Sequence, residues 1–196
     1  KGVATLNMLK KLASLSNPDY LTHDSEALKV EWESGKVALM TLWASRSGTL
    51  LDDEGDAKIT AATKLTGPAT VGGGNIPAAT LWWDGFTLAK NRSDSDAEAT
   101  FIALAHAASN KKMVADAADQ AVWLVEGFVP GPKSIGVIEA VKMGAKPYPM
   151  LPQMGLMHGA LGSEIVEFLQ GKESAEQALK DVEAAYISKA KEQGFL

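Results

Sequence analysis

Two adjacent tryptophans, Trp82 and Trp83, lie in the stretch ATLWWDGFTLAK and are followed at once by Asp84 and Gly85. The stretch is predicted to form a strand that bends or breaks at the Asp-Gly pair. Successive side chains of a strand point to opposite faces, so both rings cannot lie in one core layer. One ring needs a separate explanation. A tryptophan beside a carboxylate can contact an apolar surface while the carboxylate accepts hydrogen bonds.

The other chemistry-bearing residues do not form a metal site or a phosphate site. His23, His106 and His158 are far apart in the sequence, and none has a second ligand type at helical or turn spacing. The glycine-rich segment 71–75 lacks the spacing of a dinucleotide fingerprint and the Lys-Ser/Thr pair of a phosphate-binding loop. We therefore expect no metal and no cofactor, and a flexible connection at 66–77 with a hinge or loop at 71–75.

Carboxylates and serines show no catalytic pattern. Residues 52–56, DDEGD, do not alternate oxygen ligands as a calcium loop does, so a solvated turn is expected there. Ser47, in ASRSG, lacks the first glycine of a nucleophile elbow and has no histidine nearby in the sequence. No catalytic apparatus is recognisable, and we expect a protein that is not an enzyme.

The composition is typical of a soluble globular protein of one large domain or two small lobes. Of 196 residues, 46% are hydrophobic and 22% are charged. The 19 basic residues are outnumbered by 24 acidic ones, which argues against a nucleic acid partner. No apolar run is long enough to cross a bilayer, and the absence of cysteine excludes disulfides and thiolate sites.

Strand patterns are concentrated before residue 90. The segments 36–43, KVALMTLW, and 58–65, KITAATKL, lack clean polar alternation, which predicts buried strands of one sheet with helices on both faces. The segment 44–57 between them is predicted to be a loop or one short helix.

Helix patterns occur at both ends of the first ninety residues' strand region and throughout the chain after it. The opening residues 1–16 form an amphipathic stripe, and Asp24 or Ser25 can cap a helix that ends at Gly35. Later helices are predicted at 93–109 with a capping box at Ser95 and Glu98, at 110–124, within 128–152, at 153–171 ending at Gly171, and at 174–193 with a capping box at Ser174 and Gln177.

Three segments carry a resemblance to a known family. They are WESGKVALMTLW at 32–43, TLWWDGFTLAKNRSDSDAEATFIALAHAAS at 80–109 and LQGKESAEQALKDVEAAY at 169–186. In order and spacing they resemble the carbohydrate-type extracellular solute-binding proteins of ABC importers, the group that includes maltose-binding protein. Their counterparts there are a strand with an aromatic tip, the crossover strand with its alanine-rich helix, and the C-terminal helix.

The resemblance implies an α/β, periplasmic-binding-protein-like fold, consisting of the C-terminal lobe with part of the second lobe. Residues 1–83 and 148–196 would form the C-terminal lobe. Residues 84–147 would belong or cross to the N-terminal lobe. The chain corresponds to about the second half of a typical member, so we expect it to begin within a longer protein, as the uncapped start at Lys1 also indicates.

The resemblance also implies a function. Members bind a sugar or polyol between two lobes, in the periplasm or outside the cell, and deliver it to permease subunits of the importer. A sugar stacks on aromatic rings there because a pyranose has apolar C–H faces and a hydroxyl rim. Trp83, which abuts the turn, would face the cleft with Asp84, and Trp82 would pack in the sheet. The alternatives are the reverse facing of the two rings, or two structural rings in a covered sheet.

Three further residues are implied as ligand-binding. Trp43 ends its segment in the family's ligand-proximal loop, and Arg46 just beyond it could bind two hydroxyls. His158 aligns with a stacking tryptophan of maltose-binding protein, and this difference argues against the same ligand. A core Trp43, a surface Arg46 and an ordinary helix histidine are the structural alternatives.

Two other classes of protein remain open. A carbohydrate-active enzyme would need two carboxylates about 5 to 9 Å apart in a cleft, and Asp84 has no evident partner in the sequence. A structural or interaction domain would have no polar and aromatic pocket. The chain is also expected to self-associate, because an incomplete lobe would expose apolar surface.

Overall fold

The computed structural model describes residues 1–52, 55–123 and 125–196. The chain is mostly helical (55%), with one sheet of two parallel strands, which is compatible with a mixed α/β class. Short 3₁₀ helices occur at Tyr20–Thr22, Gly48–Leu51 and Pro132–Ser134. The helices and strands are α1 Gly2–Ala13, α2 Ser25–Glu33, α3 Ala44–Ser47, α4 Ala57–Ala62, β1 Thr80–Leu81, α5 Asp94–Ser109, α6 Lys111–Asp116, α7 Ile135–Lys142, β2 Lys146–Pro147, α8 Pro152–Leu169 and α9 Ala175–Glu192.

The chain divides into two compact units. The first consists of Lys1–His23 with Pro149–Leu196, and the second of Asp24–Tyr148. The two units are defined by contacts within this chain alone. The assignment of residues 1–83, 84–147 and 148–196 to two lobes of a longer protein therefore stays a prediction.

The first unit packs α1, α8 and α9 around a small core. Leu6, Phe168, Ala175 and Ala178 are its buried members. The ammonium of Lys10 lies 4.6 Å from the centroid of the Phe168 ring, so a cation covers one face of the core aromatic. The alanines let α8 and α9 approach closely, which suits their antiparallel pairing.

The turn between α8 and α9 confirms two sequence predictions. Gly171 has a φ of +78°, the left-handed conformation in which glycine commonly ends a helix. Ser174 then caps α9 by accepting a hydrogen bond of 3.1 Å from the backbone N–H of Gln177. The Gln177 side chain donates to Asp181, so the cap has one of the two bonds of a capping box.

The second unit begins with a helix whose ends were also predicted. Asp24 accepts hydrogen bonds from the backbone N–H groups of Glu26 and Ala27, and Gly35 follows the helix with a φ of +71°. The predicted short helix in 44–57 is α3, continued by a 3₁₀ turn. The solvated turn predicted for 52–56 includes residues 53 and 54, which lie outside the described residues.

The prediction of two buried strands in one sheet was wrong. Residues 57–62 form helix α4, because Asp56 caps it by accepting from the backbone N–H of Lys58 and because alanine favours helix. Residues 36–43 pair with no strand in the described chain, and Leu39 is almost fully exposed. A strand needs a neighbour for its backbone hydrogen bonds, and the expected neighbour is helical.

The only sheet among the described residues joins β1 and β2 in parallel. Thr80 pairs with Lys146 and Leu81 with Pro147. The strand predicted for 79–90 is therefore reduced to two residues. Before it, an antiparallel bridge between Thr70 and Pro77 closes the glycine-rich segment into a turn, where a flexible connection was expected.

The predicted helix at 93–109 is present, but its cap differs. Ser93, two residues before the expected Ser95, accepts a hydrogen bond from the backbone N–H of Asp96. The helix predicted at 110–124 is shorter, since α6 ends at Asp116 and residue 124 is not described. The short helix expected within 128–152 is α7.

Candidate functional site

The carboxyl ends of β1 and β2 bring two aromatic residues together. Trp82 follows β1 and Tyr148 follows β2, and the parallel register places the two strand ends side by side. The backbone N–H of Tyr148 donates to the carbonyl of Leu81 at 2.9 Å, which continues the ladder by one bond. Ligands of α/β proteins commonly bind beyond the carboxyl ends of parallel strands, so this edge is the candidate site.

The Trp82 and Tyr148 rings are stacked. Their centroids are 3.9 Å apart and their planes differ by 23°. The indole Nε1–H of Trp82 donates to Oγ1 of Thr80 at 3.0 Å, so a second contact restrains the same ring. We call Thr80, Trp82 and Tyr148 the Trp82 platform. Trp82 is 49% exposed, and since one ring face lies on Tyr148, the opposite face, which we call its open face, is the one left for a ligand.

Trp83 and Asp84 follow the platform directly. Trp83 is 52% exposed, and the Asp84 side chain has no hydrogen bond or ion pair with any described residue. Neither tryptophan of the pair is therefore a core residue. The expected division into a buried Trp82 and an exposed Trp83 is not what the structure shows, because β1 ends before both rings.

Trp43 and Arg46 lie around the start of α3. Trp43 precedes the helix and is 65% exposed, which excludes its alternative as a core residue. The guanidinium of Arg46 forms an ion pair with Glu26 at 3.0 Å between two exposed side chains. Such an exposed pair contributes little stability, so Arg46 can exchange this partner for another acceptor at small cost.

His158 lies in α8 of the first compact unit, whereas the other five predicted site residues belong to the second. The His158 side chain is exposed. Trp82, Trp83 and Asp84 thus follow one another directly after β1, and Trp43 and Arg46 lie around the start of α3.

Sequence reasoning missed Tyr148. Its only signal is its place after the short segment Lys146–Pro147, and that signal has meaning only when the pairing with β1 is known. β1 and β2 are 66 residues apart in the sequence, and no local pattern predicts a pairing over that separation. The Trp82-Trp83 pair, in contrast, is visible in the sequence itself.

An apolar groove occurs elsewhere in the second unit. It has a volume of about 430 Å³, and we call its lining residues the α5 patch: Phe86, Leu88, Phe101, Leu104, Ala105 and Ala108. Phe86 and Phe101 are 66% and 64% exposed, and no residue of α5 is buried. The groove contains none of the predicted site residues and no polar side chain, so it differs in kind from the Trp82 platform.

The remaining chemical features do not involve the residues of the Trp82 platform. In the first unit, burial and then the nearby carboxylates of Asp181 and Glu167 raise the pKa of Glu173. No three His, Asp or Glu side chains in the described parts of the chain are grouped as metal ligands. No helix within the described ranges has the length and apolar character needed to cross a membrane.

Comparison with known proteins gave no match: no protein-family model, no curated protein and no solved structure is significantly similar to this chain.

Proposed function

We propose that this chain is part of the substrate-binding component of an ABC importer, and that it binds a sugar or polyol and delivers it to the membrane permease. The observation that carries the proposal is the exposed Trp82 ring, stacked on Tyr148 at the carboxyl ends of two parallel strands. The three sequence segments at 32–43, 80–109 and 169–186 support the periplasmic-binding-protein-like fold that this function requires.

The chemistry of the site suits a carbohydrate. An exposed indole face gains from contact with the C–H face of a sugar, and the exposed Asp84 carboxylate can accept hydrogen bonds from hydroxyl groups. Arg46, Trp43, Trp83 and His158 remain proposed ligand residues. The function would place the protein in the periplasm or outside the cell.

Self-association is part of the proposal. The α5 patch exposes Phe101 on a helix without a buried residue and Phe86 in the segment before that helix, and apolar surface of this kind usually marks an interface. A second copy of the chain is the partner that is present in every preparation.

A thermal-shift panel of monosaccharides, disaccharides and alditols tests the binding function. A ligand that binds only the folded state raises the midpoint of unfolding with its concentration. We expect at least one carbohydrate to raise the Tm in a saturable manner, with succinate and glycine as non-carbohydrate controls. A panel in which no carbohydrate exceeds these controls would contradict the proposal.

A further inference from the structure

Trp82 is restrained before any ligand arrives. Its ring is stacked at 3.9 Å on Tyr148, and its Nε1–H is bonded to Thr80 at 3.0 Å. Exposed side chains normally lose rotamer freedom when they bind a ligand, which weakens affinity. A ring already fixed by two contacts avoids most of that loss.

The restraints come from the strand pair itself. Trp82 directly follows β1, two residues after Thr80, and its indole Nε1–H donates to the Thr80 hydroxyl at 3.0 Å. The register of β1 with β2, extended by the 2.9 Å bond from Tyr148 to Leu81, sets the Tyr148 ring beside Trp82. No aromatic stacking or hydrogen bond of the side chain fixes Trp83 among the described residues.

We propose that the open face of Trp82 stacks on a single pyranose ring, that Thr80 and Tyr148 are positioning residues for this face, and that the site consequently prefers ring-form sugars to open-chain alditols. The inference rests on the proposed carbohydrate-binding function and specifies its ligand class. It also assigns the principal stacking contact to Trp82, where the sequence favoured Trp83.

The preference follows from the shape of the two ligand classes. A pyranose is rigid and presents several C–H groups in one plane, which matches a flat, fixed indole face. An alditol carries nearly the same hydroxyl groups on a flexible chain and must freeze several rotations to present a flat surface. A fixed ring therefore binds the cyclic ligand more tightly than the alditol, whereas a mobile aromatic side chain would adapt to both and bind them with similar affinity.

The test compares matched pairs by titration calorimetry: glucose with glucitol, mannose with mannitol, galactose with galactitol and xylose with xylitol. For the pair that binds best, we expect the cyclic sugar to bind about tenfold or more tightly than its alditol. Equal affinities, or tighter binding of the alditol, would overturn the inference and leave the carbohydrate-binding function standing. If no member of any pair binds but a disaccharide raises the Tm, the inference fails and the carbohydrate-binding function stands; if no carbohydrate binds in either experiment, both proposals fail.

Three variants test the positioning roles. Thr80→Val keeps the β-branched shape but removes the acceptor for the indole, and Tyr148→Ala removes the supporting ring. Each is expected to weaken binding of the cyclic sugar several-fold and to narrow its advantage over the alditol. Tyr148→Phe keeps the ring and should retain the preference.

Near-ultraviolet circular dichroism and the Tm establish that each variant is folded. Thr80→Val changes an exposed side chain, so it keeps the test decisive if Tyr148→Ala unfolds. Folded Thr80→Val with an unchanged affinity and an unchanged preference would contradict the positioning role.

Discussion

At the residue scale, Trp82 and Trp83 have nearly the same exposure but different surroundings. Trp82 has a stacking partner and a hydrogen-bond acceptor, and Trp83 has neither among the described residues. Stability and binding are therefore not divided between a core ring and a cleft ring. The same ring, Trp82, is expected to contribute to both.

Alanine substitutions separate the two rings. Trp82→Ala removes a stacked aromatic pair and a hydrogen bond, so we expect the free energy of unfolding to fall by about 1 to 3 kcal/mol. Trp83→Ala removes an exposed ring and should cost less than about 1 kcal/mol. Urea denaturation of the ligand-free protein measures both. Equal losses would show that the stack does not stabilise the fold.

At the element scale, local signals were sufficient wherever a cap or a glycine defined a boundary. Asp24, Gly35, Gly171 and Ser174 perform the roles that the sequence predicted for them. Residues 58–65 were wrongly predicted to form a strand because their apolar content is typical of a buried strand. The Asp56 cap just before them favours the helix that the structure shows at Ala57–Ala62. The β1–β2 pair and Tyr148 depend on long-range pairing, which no local pattern encodes.

The turn at Gly171 gives a prediction for the α8–α9 pair. Gly171→Ala forces a side chain into a φ of +78°, so we expect the free energy of unfolding to fall by about 1 kcal/mol or more. The nearest atom to an added Cβ is the flexible Lys10 Nζ at 3.7 Å, so the cost is conformational and not steric.

Gly162→Ala is the matched control in the same helix pair. Gly162 lies inside α8 with nothing within 4 Å of an added Cβ, so alanine should raise stability by about 0.5 to 1 kcal/mol. Opposite signs for the two substitutions in thermal or urea unfolding support the assignment of Gly171 as the helix stop. A neutral or stabilising Gly171→Ala would refute it.

At the scale of the whole molecule, apolar exposure is the dominant feature. In the part of the chain that the structure describes, no large side chain is fully buried, and the α5 patch is one of several exposed apolar areas. A helix gains stability mainly by packing its apolar side chains against a partner, so we expect the alanine-rich α5, with its exposed Phe101 and Ile102, to pack against one.

Sedimentation velocity tests self-association through the α5 patch. The protein should shift from monomer to dimer or larger species as its concentration rises, and the double substitution Phe86→Ser with Phe101→Ser should reduce this shift. Val71→Ser, which removes an equally exposed apolar side chain outside the patch, is the control and should leave it unchanged. A monodisperse monomer at high concentration would exclude the proposed dimer.

The central claim is that a sugar binds on the Trp82 ring, and the indole N–H signals of the five tryptophans report on it directly. In a ¹H–¹⁵N NMR titration with the best-binding sugar, the Trp82 signal, assigned by its loss in Trp82→Phe, should move and saturate. The signals of Trp32 and Trp123, bonded to Thr63 and to the Ala117 carbonyl, should stay in place. A saturating titration in which the Trp82 signal does not move would contradict the account.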